Sequence, residues 1–315
     1  MARMNPVLKA AAACLLALAG TVAQAQDAPA AQPATDPGAE AAVTHAVTAE
    51  AGNPPPAPER RWRLGAALGY GERTNPLIQS DDIPVLVDLD IAYFGDRWFF
   101  DNGDLGIELL DNEVMTTNLV ARVNSDRAFF SKTNTKYVTY SVMAGGFTAP
   151  ISNIATGQPI TQTEALPLRP PRRSYAVELG FETLFSGDWG QASLHGFHDV
   201  SNTHDGFEIG ANYSYRLTRG RLSLSPSLGL TWKSDQLSDY YWGVHADEAS
   251  ETLKAYRAKN GMSWEAGLRA NYYLTRSVRA AVSANYEHLQ HSVAMSPLVK
   301  RGYVAGYFAG LAWQF

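Results

Sequence analysis

The sequence predicts an all-β protein, an antiparallel transmembrane β-barrel, and three observations support this prediction. Apolar and polar residues alternate over stretches of about 11 to 14 residues, longer than ordinary soluble strands. After residue 25, no apolar run approaches the ~20 residues that a membrane-spanning helix needs. Short and long connections alternate between these stretches, a pattern typical of a barrel with turns on one side and loops on the other.

The final stretch, YVAGYFAGLAWQF, shows the alternation most clearly. One face carries Tyr303, Tyr307, Leu311, Trp313 and Phe315, with alanines between them. Because strand side chains alternate between the two faces, this face is wholly apolar. Aromatic residues near both ends and aliphatic residues between them are typical of a strand that crosses a bilayer.

Charged residues recur on the opposite face of other strands. The polar face of FEIGANYSYRL includes Glu208, and that of MSWEAGLRANYYL includes Glu265. In a membrane barrel, such a face lines the lumen. The residues predicted to line the lumen are Glu208, Arg216, Glu265, Arg269, Arg279 and Glu287.

The alternation predicts twelve strands, an even number that places both chain ends in the periplasm. The predicted strands are 61–72, 84–94, 97–109, 113–124, 136–146, 173–185, 188–200, 206–218, 221–233, 262–274, 277–289 and 303–315. Two connections do not fit, because 125–135 is long for a periplasmic turn and 110–112 is short for an outer loop. Since 136–146 is the weakest strand, ten strands is the alternative.

The first residues predict export. Arg3 and Lys9 precede an apolar run, residues 10–20, that is too short to span a bilayer, and Ala23-Gln24-Ala25 resembles a cleavage site. Residues 1–25 are therefore predicted to be a signal peptide. The next stretch, 26–59, is rich in alanine and proline and lacks aromatic residues, so a disordered periplasmic linker is predicted there. The barrel is expected to occupy residues 60–315.

Charge and cysteine content exclude several functions. Removing the signal peptide changes the net charge from -5 to -7, because two basic residues and no acidic residue are lost. This acidic balance argues against nucleic acid as a partner. The single cysteine, Cys14, lies in the signal peptide, so the mature chain is expected to have no thiol for a disulfide, a metal site or nucleophilic catalysis.

The stretch GFHDVSNTHDGF at 196–207 holds the His, Ser and Asp residues that a hydrolase site would need. His198 and Ser201 are three residues apart and face opposite sides of a strand, so proton transfer between them is not expected. His195 shares a face with Ser193 and Asp199, but all three would lie in the middle of the wall. Polar lining of the lumen is the preferred interpretation, and no catalytic residue is predicted.

No cofactor or metal site is predicted either. His245, Asp247 and Glu248 are three scattered ligands in an exposed loop. No glycine-rich phosphate loop connects a strand to a helix.

Several loop motifs resemble the MipA/OmpV family of Gram-negative outer-membrane proteins. They include DYYWGV at 239–244, SPLV at 296–299 and the terminal Phe315, and the resemblance covers roughly residues 61–315. The resemblance implies a non-enzymatic barrel in the outer membrane, surrounded by its lipid. It also implies that Phe315, Trp313 and Leu311 form a signal read by the barrel-assembly machinery.

The resemblance further implies a scaffold or interaction protein of murein synthesis and turnover. Its partners would be a lytic transglycosylase and a murein synthase. The contact surface is expected to include the linker, the turn 125–135 and the short periplasmic turns with Arg219, Arg221, Arg276 and Arg279. Two alternatives are a small porin-like channel and a surface adhesin that acts through the long loops 147–172 and 234–261.

Overall fold

The protein forms a closed antiparallel barrel. The structure, a computed structural model, describes residues 62–130 and 170–315. Its strands are β1 (Trp62–Arg73), β2 (Ile83–Phe94), β3 (Trp98–Asp101), β4 (Asp104–Asp111), β5 (Met115–Val123), β6 (Val177–Gly187), β7 (Gly190–Asp199), β8 (Phe207–Ser214), β9 (Leu217–Arg219), β10 (Leu222–Lys233), β11 (Gly261–Tyr273), β12 (Val278–His288) and β13 (Tyr303–Gln314). In the described parts of the connections lie three short helices, namely the 3-10 helix Ser125–Phe130, α1 (Asp235–Trp242) and α2 (His291–Ala294).

Neighbouring strands pair in chain order, and β13 pairs with β1 to close the ring. β8 and β9 lie end to end along β10 and act as one crossing strand, so the wall has twelve positions. They are separated opposite Pro226, whose carbonyl accepts a hydrogen bond from the Tyr215 amide (3.2 Å). Proline has no amide hydrogen to return that bond. Twelve strands are therefore confirmed and the ten-strand alternative is wrong.

The outer surface of the wall is apolar between two aromatic belts. Large aliphatic side chains such as Leu68, Ile209 and Leu228 are exposed there. At the end where the chain enters β1, Trp62 packs edge-on against Tyr93, with 4.9 Å between ring centroids. At the other end, three neighbouring strands contribute Trp264, Tyr286 and Tyr303 to a second aromatic group. This arrangement is typical of a barrel in a lipid bilayer.

The connections separate by length into two groups. Those at the end that holds β1's first residue are short, at 95–97, 112–114, 188–189, 220–221 and 274–277. Most of those at the opposite end are longer, at 74–82, 124–176, 200–206, 234–260 and 289–302. Short turns face the periplasm in such barrels, so the longer connections face outward. Among the described residues, no helix is long and apolar enough to span a bilayer.

The predicted single strand at 97–109 is wrong, because this stretch folds as the β3–β4 hairpin. The predicted strand at 136–146 lies outside the described residues, and β5 pairs directly with β6. This change explains both misfitting connections. The connection after β5 is an outer one, and 112–114 is a periplasmic turn.

Asn102 and Gly103 form the tight turn of this hairpin. Both have positive φ angles, 49° and 114°, as the favoured two-residue hairpin turn requires. The Asn102 side chain accepts a hydrogen bond from the Ile91 amide (2.9 Å) and donates to the carboxylates of Asp90 and Asp101 (2.9 and 2.8 Å). The turn therefore supplies a hydrogen-bond partner to β2 at Ile91, just beyond the residues of β2 that pair with β3.

Replacing Asn102 by alanine should destabilise the barrel by about 3 kcal/mol. The change leaves the half-buried Ile91 amide and two carboxylates without these bonds, and it places alanine at a positive φ. Urea-induced unfolding of the protein refolded in lipid vesicles measures the change.

Asn112→Ala is the matched control, because Asn112 also accepts amide hydrogen bonds in a turn but is exposed. It should cost less than about 1 kcal/mol. Equal losses for the two variants would contradict a structural role of Asn102 beyond an ordinary turn.

Candidate functional site: the outer cap and the charged lumen

The outer connections fold together over the mouth of the barrel into what we call the outer cap, residues 74–82, 124–130, 234–260 and 289–302. The cap has an apolar core in which Tyr241, Leu237 and Leu298 are completely buried and Trp242 almost so. The buried members of this core are Leu77, Phe129, Phe130, Leu237, Tyr241, Trp242, Val244, Leu253, Ala258, Leu289, Val293, Leu298 and Val304. All but one come from the outer connections, so these loops stabilise one another.

Trp242 lies at the centre of the outer cap. Its ring contacts those of Phe129 and Phe130, with centroids 5.8 and 5.5 Å apart. Its backbone carbonyl accepts a hydrogen bond from the Ser296 hydroxyl (2.6 Å). The motifs DYYWGV and SPLV therefore meet in the cap core, although more than 50 residues separate Trp242 from Ser296 (54).

An ion pair between buried Arg173 and half-buried Glu248 fixes the edge of the cap. Arg173 binds the Glu248 carboxylate through two nitrogens and donates to the Gly243 carbonyl (2.9 Å). Burial by itself would raise the pKa of Glu248, but hydrogen bonds from Arg173 and the His245 amide, with the arginine's charge, lower it below its usual value. The carboxylate is thus held ionised, and it clamps the segment before β6 to the β10–β11 connection.

Asp126 joins the cap to the lumen. Its carboxylate accepts hydrogen bonds from Lys233 at the end of β10 (2.7 and 2.9 Å) and from the Trp242 indole (3.2 Å). Asp126 is buried, so each of these bonds compensates for the loss of water around the charge. The 3-10 helix is thereby held against the outer end of the wall.

Below the cap, charged side chains bridge the lumen. Arg122 of β5 pairs with Glu178 of β6 (2.9 Å) and with Glu208 of β8. Its guanidinium also lies over the Phe197 ring, 3.7 Å from the centroid. His195 Nε2 lies 3.7 Å from Glu208 Oε1. These residues come from four strands, so the pairs tie the wall together from inside.

The predicted lumen residues fall in different environments. Glu208 and Arg279 are buried, Arg216, Arg269 and Glu287 are half-buried, and Glu265 is exposed. Glu265 and Glu287 are direct neighbours across β11 and β12. Two like charges in this position repel one another, which favours water around them. The structure thus shows both paired charges and accessible carboxylates, and a role for these residues in solute passage remains a prediction.

Sequence reasoning missed the partners of Glu208 and most of the cap. Arg122 shares a face with Asn118 and Thr116 on β5, so its inward direction was readable from the alternation. Its partners were not, because Glu208 is 86 residues away. The pairing of Arg173 with Glu248 was likewise not readable from the sequence, because 75 residues separate them.

The polar stretch at 196–207 forms a tight loop around Asp199. One oxygen or the other of this carboxylate accepts hydrogen bonds from the amides of Ser201, Thr203, His204 and Asp205 and from the Ser201 hydroxyl, at 2.6 to 3.0 Å. The aspartate therefore shapes the β7–β8 connection. Glu248 of the weak metal pattern is likewise held by Arg173, and in the described residues no three His, Cys, Asp or Glu side chains could hold a metal ion.

The three residues of the predicted assembly signal lie on the outward face of β13. Leu311 and Phe315 are exposed, and Trp313 is half-buried. The Phe315 amide donates to the Leu64 carbonyl of β1 (2.9 Å), at the seam that closes the barrel. Recognition of these residues by the barrel-assembly machinery remains a prediction.

A closed barrel with a lipid-facing apolar belt, periplasmic turns and a folded outer cap defines an integral outer-membrane protein. A family profile described as "MltA-interacting protein MipA" matches residues 64–315. The chain therefore belongs to the MipA family. The resemblance seen in DYYWGV, SPLV and Phe315 is confirmed.

Curated relatives support the same location. Outer membrane protein Omp26La of Vibrio anguillarum is 28% identical over 129 residues, 41% of this chain and 50% of the relative. Outer membrane protein OmpV of Vibrio cholerae is 29% identical over 128 residues, which are 41% of this chain and 50% of the relative. The MltA-interacting protein of Escherichia coli is 26% identical over 118 residues, which are 37% of this chain and 48% of the relative. The matches thus span about half the length of these relatives, and the outer-membrane location is confirmed.

Acidification should loosen the outer cap through Glu248. Because folding lowers its pKa, the Arg173–Glu248 pair contributes stability that is fully present above the ordinary glutamate value near 4.5 and is lost as the pH falls through the lowered value. Limited proteolysis of the cap between pH 7 and pH 3 measures this loosening.

Glu248→Gln should make cleavage of the cap faster at pH 7 and less dependent on pH below 4.5. Glu251→Gln removes an exposed carboxylate from the same connection and should keep the wild-type profile. If Glu248→Gln also kept that profile, the pair would not control the cap.

Proposed function

We propose that this protein is a membrane-anchored interaction protein of the cell wall and that its barrel does not conduct solutes freely. The observation that carries the proposal is the apolar core over the outer mouth. The partner class, a murein-cleaving lytic transglycosylase with a murein synthase, is suggested by the family resemblance and by the name of the relative called MltA-interacting protein. The periplasmic side of the barrel is the proposed contact surface.

Opening the mouth would require unfolding the cap core. Burying one large apolar side chain contributes about 1.5–3 kcal/mol, and Tyr241, Trp242, Leu237 and Leu298 are all buried. Ion pairs reinforce this core at its edge and at its base, through Arg173 and Asp126. The closed state is therefore the stable one.

The lumen charges favour the same conclusion. An ion that crosses the outer half would pass between side chains that already bind one another, such as Arg122 and Glu178. Separating a buried pair leaves both charges poorly solvated, which costs several kcal/mol. Paired charges therefore act here as cross-links in the barrel.

Two neighbouring periplasmic turns, 220–221 and 274–277, present a basic surface to a partner. Arg219, Arg221 and Arg276 are exposed on two neighbouring turns. The Tyr273 amide donates to the Arg221 carbonyl (2.9 Å), which ties the ends of β10 and β11 together beside these turns. A basic patch steers an acidic partner surface toward the rim. We call these three residues the rim arginines.

Two parts of the predicted contact surface change with the structure. The prediction for the turn 125–135 was wrong as far as residue 130, because the 3-10 helix lies in the outer cap. Arg279, which sequence analysis grouped with the turn arginines, is buried. The linker 26–59 lies outside the described residues and remains a proposed tether.

The small channel is the second candidate, and Glu265 is the observation in its favour. This carboxylate is exposed although it shares the inward face of β11 with buried Ser263 and Asn271. The exposure indicates open space inside the barrel. A channel would need the cap to open, so the two candidates differ in conductance.

The wild-type barrel should be electrically silent in planar bilayers, whereas a double variant Phe130→Ala, Trp242→Ala should show ion-conducting steps. These substitutions remove two of the rings that fill the mouth. A control that removes two lipid-facing rings, Trp98→Ala with Phe181→Ala, should stay silent. Stable, ion-selective steps from the wild type would contradict the proposal and favour the channel lined by Glu265 and Glu287.

Replacing the three rim arginines by glutamine should reduce capture of a purified lytic transglycosylase by the refolded barrel severalfold, since three charges of the steering patch are lost. Surface plasmon resonance at low and physiological salt measures the binding. A control variant with three outer-face cations replaced, Lys254→Gln, Arg257→Gln and Lys259→Gln, should bind as the wild type does. Equal binding by the rim variant would exclude this surface as the contact.

A further inference from the structure

The stretch 254–259 of the outer cap presents three cations. Lys254, Arg257 and Lys259 are all exposed, and Arg257 is 78% exposed at its side chain. Among the described residues, neither lysine ammonium has an ion-pair partner. Arg257 has only a long contact, 3.8 Å, to Asp239. We call these three residues the outer cations.

The backbone that carries these cations is held firmly. Tyr256 exchanges two backbone hydrogen bonds with Val244 (2.8 and 3.0 Å), and its hydroxyl donates to the Ser292 carbonyl (2.6 Å). The amides of Ala258 and Lys259 donate to Asp239 (2.9 Å) and to the Ser292 hydroxyl (3.2 Å). A fixed backbone with free side-chain ends lowers the entropy lost when a ligand binds.

Backbone hydrogen bonds also occupy the nearby carboxylates, so these carboxylates compete less with a ligand for the outer cations. Asp239 accepts the Ala258 amide, and Asp235 accepts the Asn260 amide. Both carboxylates are therefore turned toward backbone donors. In the stretch 250–260 the only acidic residue is Glu251, so this stretch carries a net positive charge.

The last of the outer cations, Lys259, lies next to the lipid-facing surface. Lys259 precedes β11 by two residues, and the exposed side chains Met262 and Trp264 follow on that strand. Trp264 belongs to the outer aromatic belt with Tyr286, at a centroid distance of 5.6 Å. Such belts mark the height of the lipid headgroups. The cationic stretch thus reaches, at Lys259, the edge of the apolar surface.

We propose that the outer cations bind the phosphate groups of lipid A, the lipopolysaccharide anchor in the outer leaflet. Phosphates prefer lysine and arginine donors, and the apolar belt directly below fits the acyl chains of the same molecule. A free phosphate would use only the first of these two surfaces. This inference does not depend on a periplasmic partner, because the outer cations lie on the opposite side of the membrane.

The test compares lipid A with its dephosphorylated form. The wild-type barrel, refolded in detergent, should bind phosphorylated lipid A at least about tenfold more tightly than dephosphorylated lipid A, and native mass spectrometry measures both affinities. The triple variant Lys254→Gln, Arg257→Gln, Lys259→Gln should lose this preference. Inorganic pyrophosphate at the same concentration should bind neither protein.

The rim arginine variant is the matched control, because it loses the same charge on the periplasmic side. It should keep the wild-type preference for phosphorylated lipid A. Heat-modifiable mobility in gels checks that each barrel is folded, and Lys259→Arg, which preserves the positive charge, should keep the wild-type preference. A preference that survives in the outer triple variant, or that is lost equally in the rim variant, would overturn the proposal. Tight binding of pyrophosphate would point to a free anion instead.

Discussion

The structure depends on one constraint, the need to hydrogen-bond every backbone amide and carbonyl that lies in hydrocarbon. A sheet meets this need only if its first and last strands pair, as β1 and β13 do. Local exceptions are accommodated one at a time. Pro226 has no amide hydrogen, and β8 and β9 separate opposite it, whereas the Asn102 side chain pairs with β2 beside the β3–β4 turn.

Closing the ring separates two environments, and the chain fills the inner one in two ways. Within the wall, charged residues from different strands pair with one another, as Arg122 does with Glu178 and Glu208. Above the wall, the loops build an apolar core around Trp242. Asp126 connects the two through Lys233 and the tryptophan indole. The cap and the lumen are therefore one bonded unit, and the proposed closed barrel rests on it.

Local patterns predicted much of this architecture. Period-two alternation located the strands, and the lengths of the connections assigned the two sides. The β3–β4 hairpin was missed although the stretch held two signals. Asn102-Gly103 is a strong turn pair, and the outward residues change from even-numbered Trp98 to odd-numbered Ile107, which face each other across the hairpin. A two-residue turn reverses the chain and shifts the parity, whereas a single strand keeps it.

The sequence alone determined that the chain forms long two-faced strands, that one face suits lipid, and that loop motifs place it among MipA-like proteins. These properties depend on neighbours along the chain, so alternation and short motifs record them. Only the tertiary structure decided that the outer loops share one apolar core and which charges are paired. Trp242 meets Ser296, Arg173 meets Glu248 and Arg122 meets Glu208 across 54, 75 and 86 residues. Contacts at that separation follow from how the ring closes, and no local pattern encodes them.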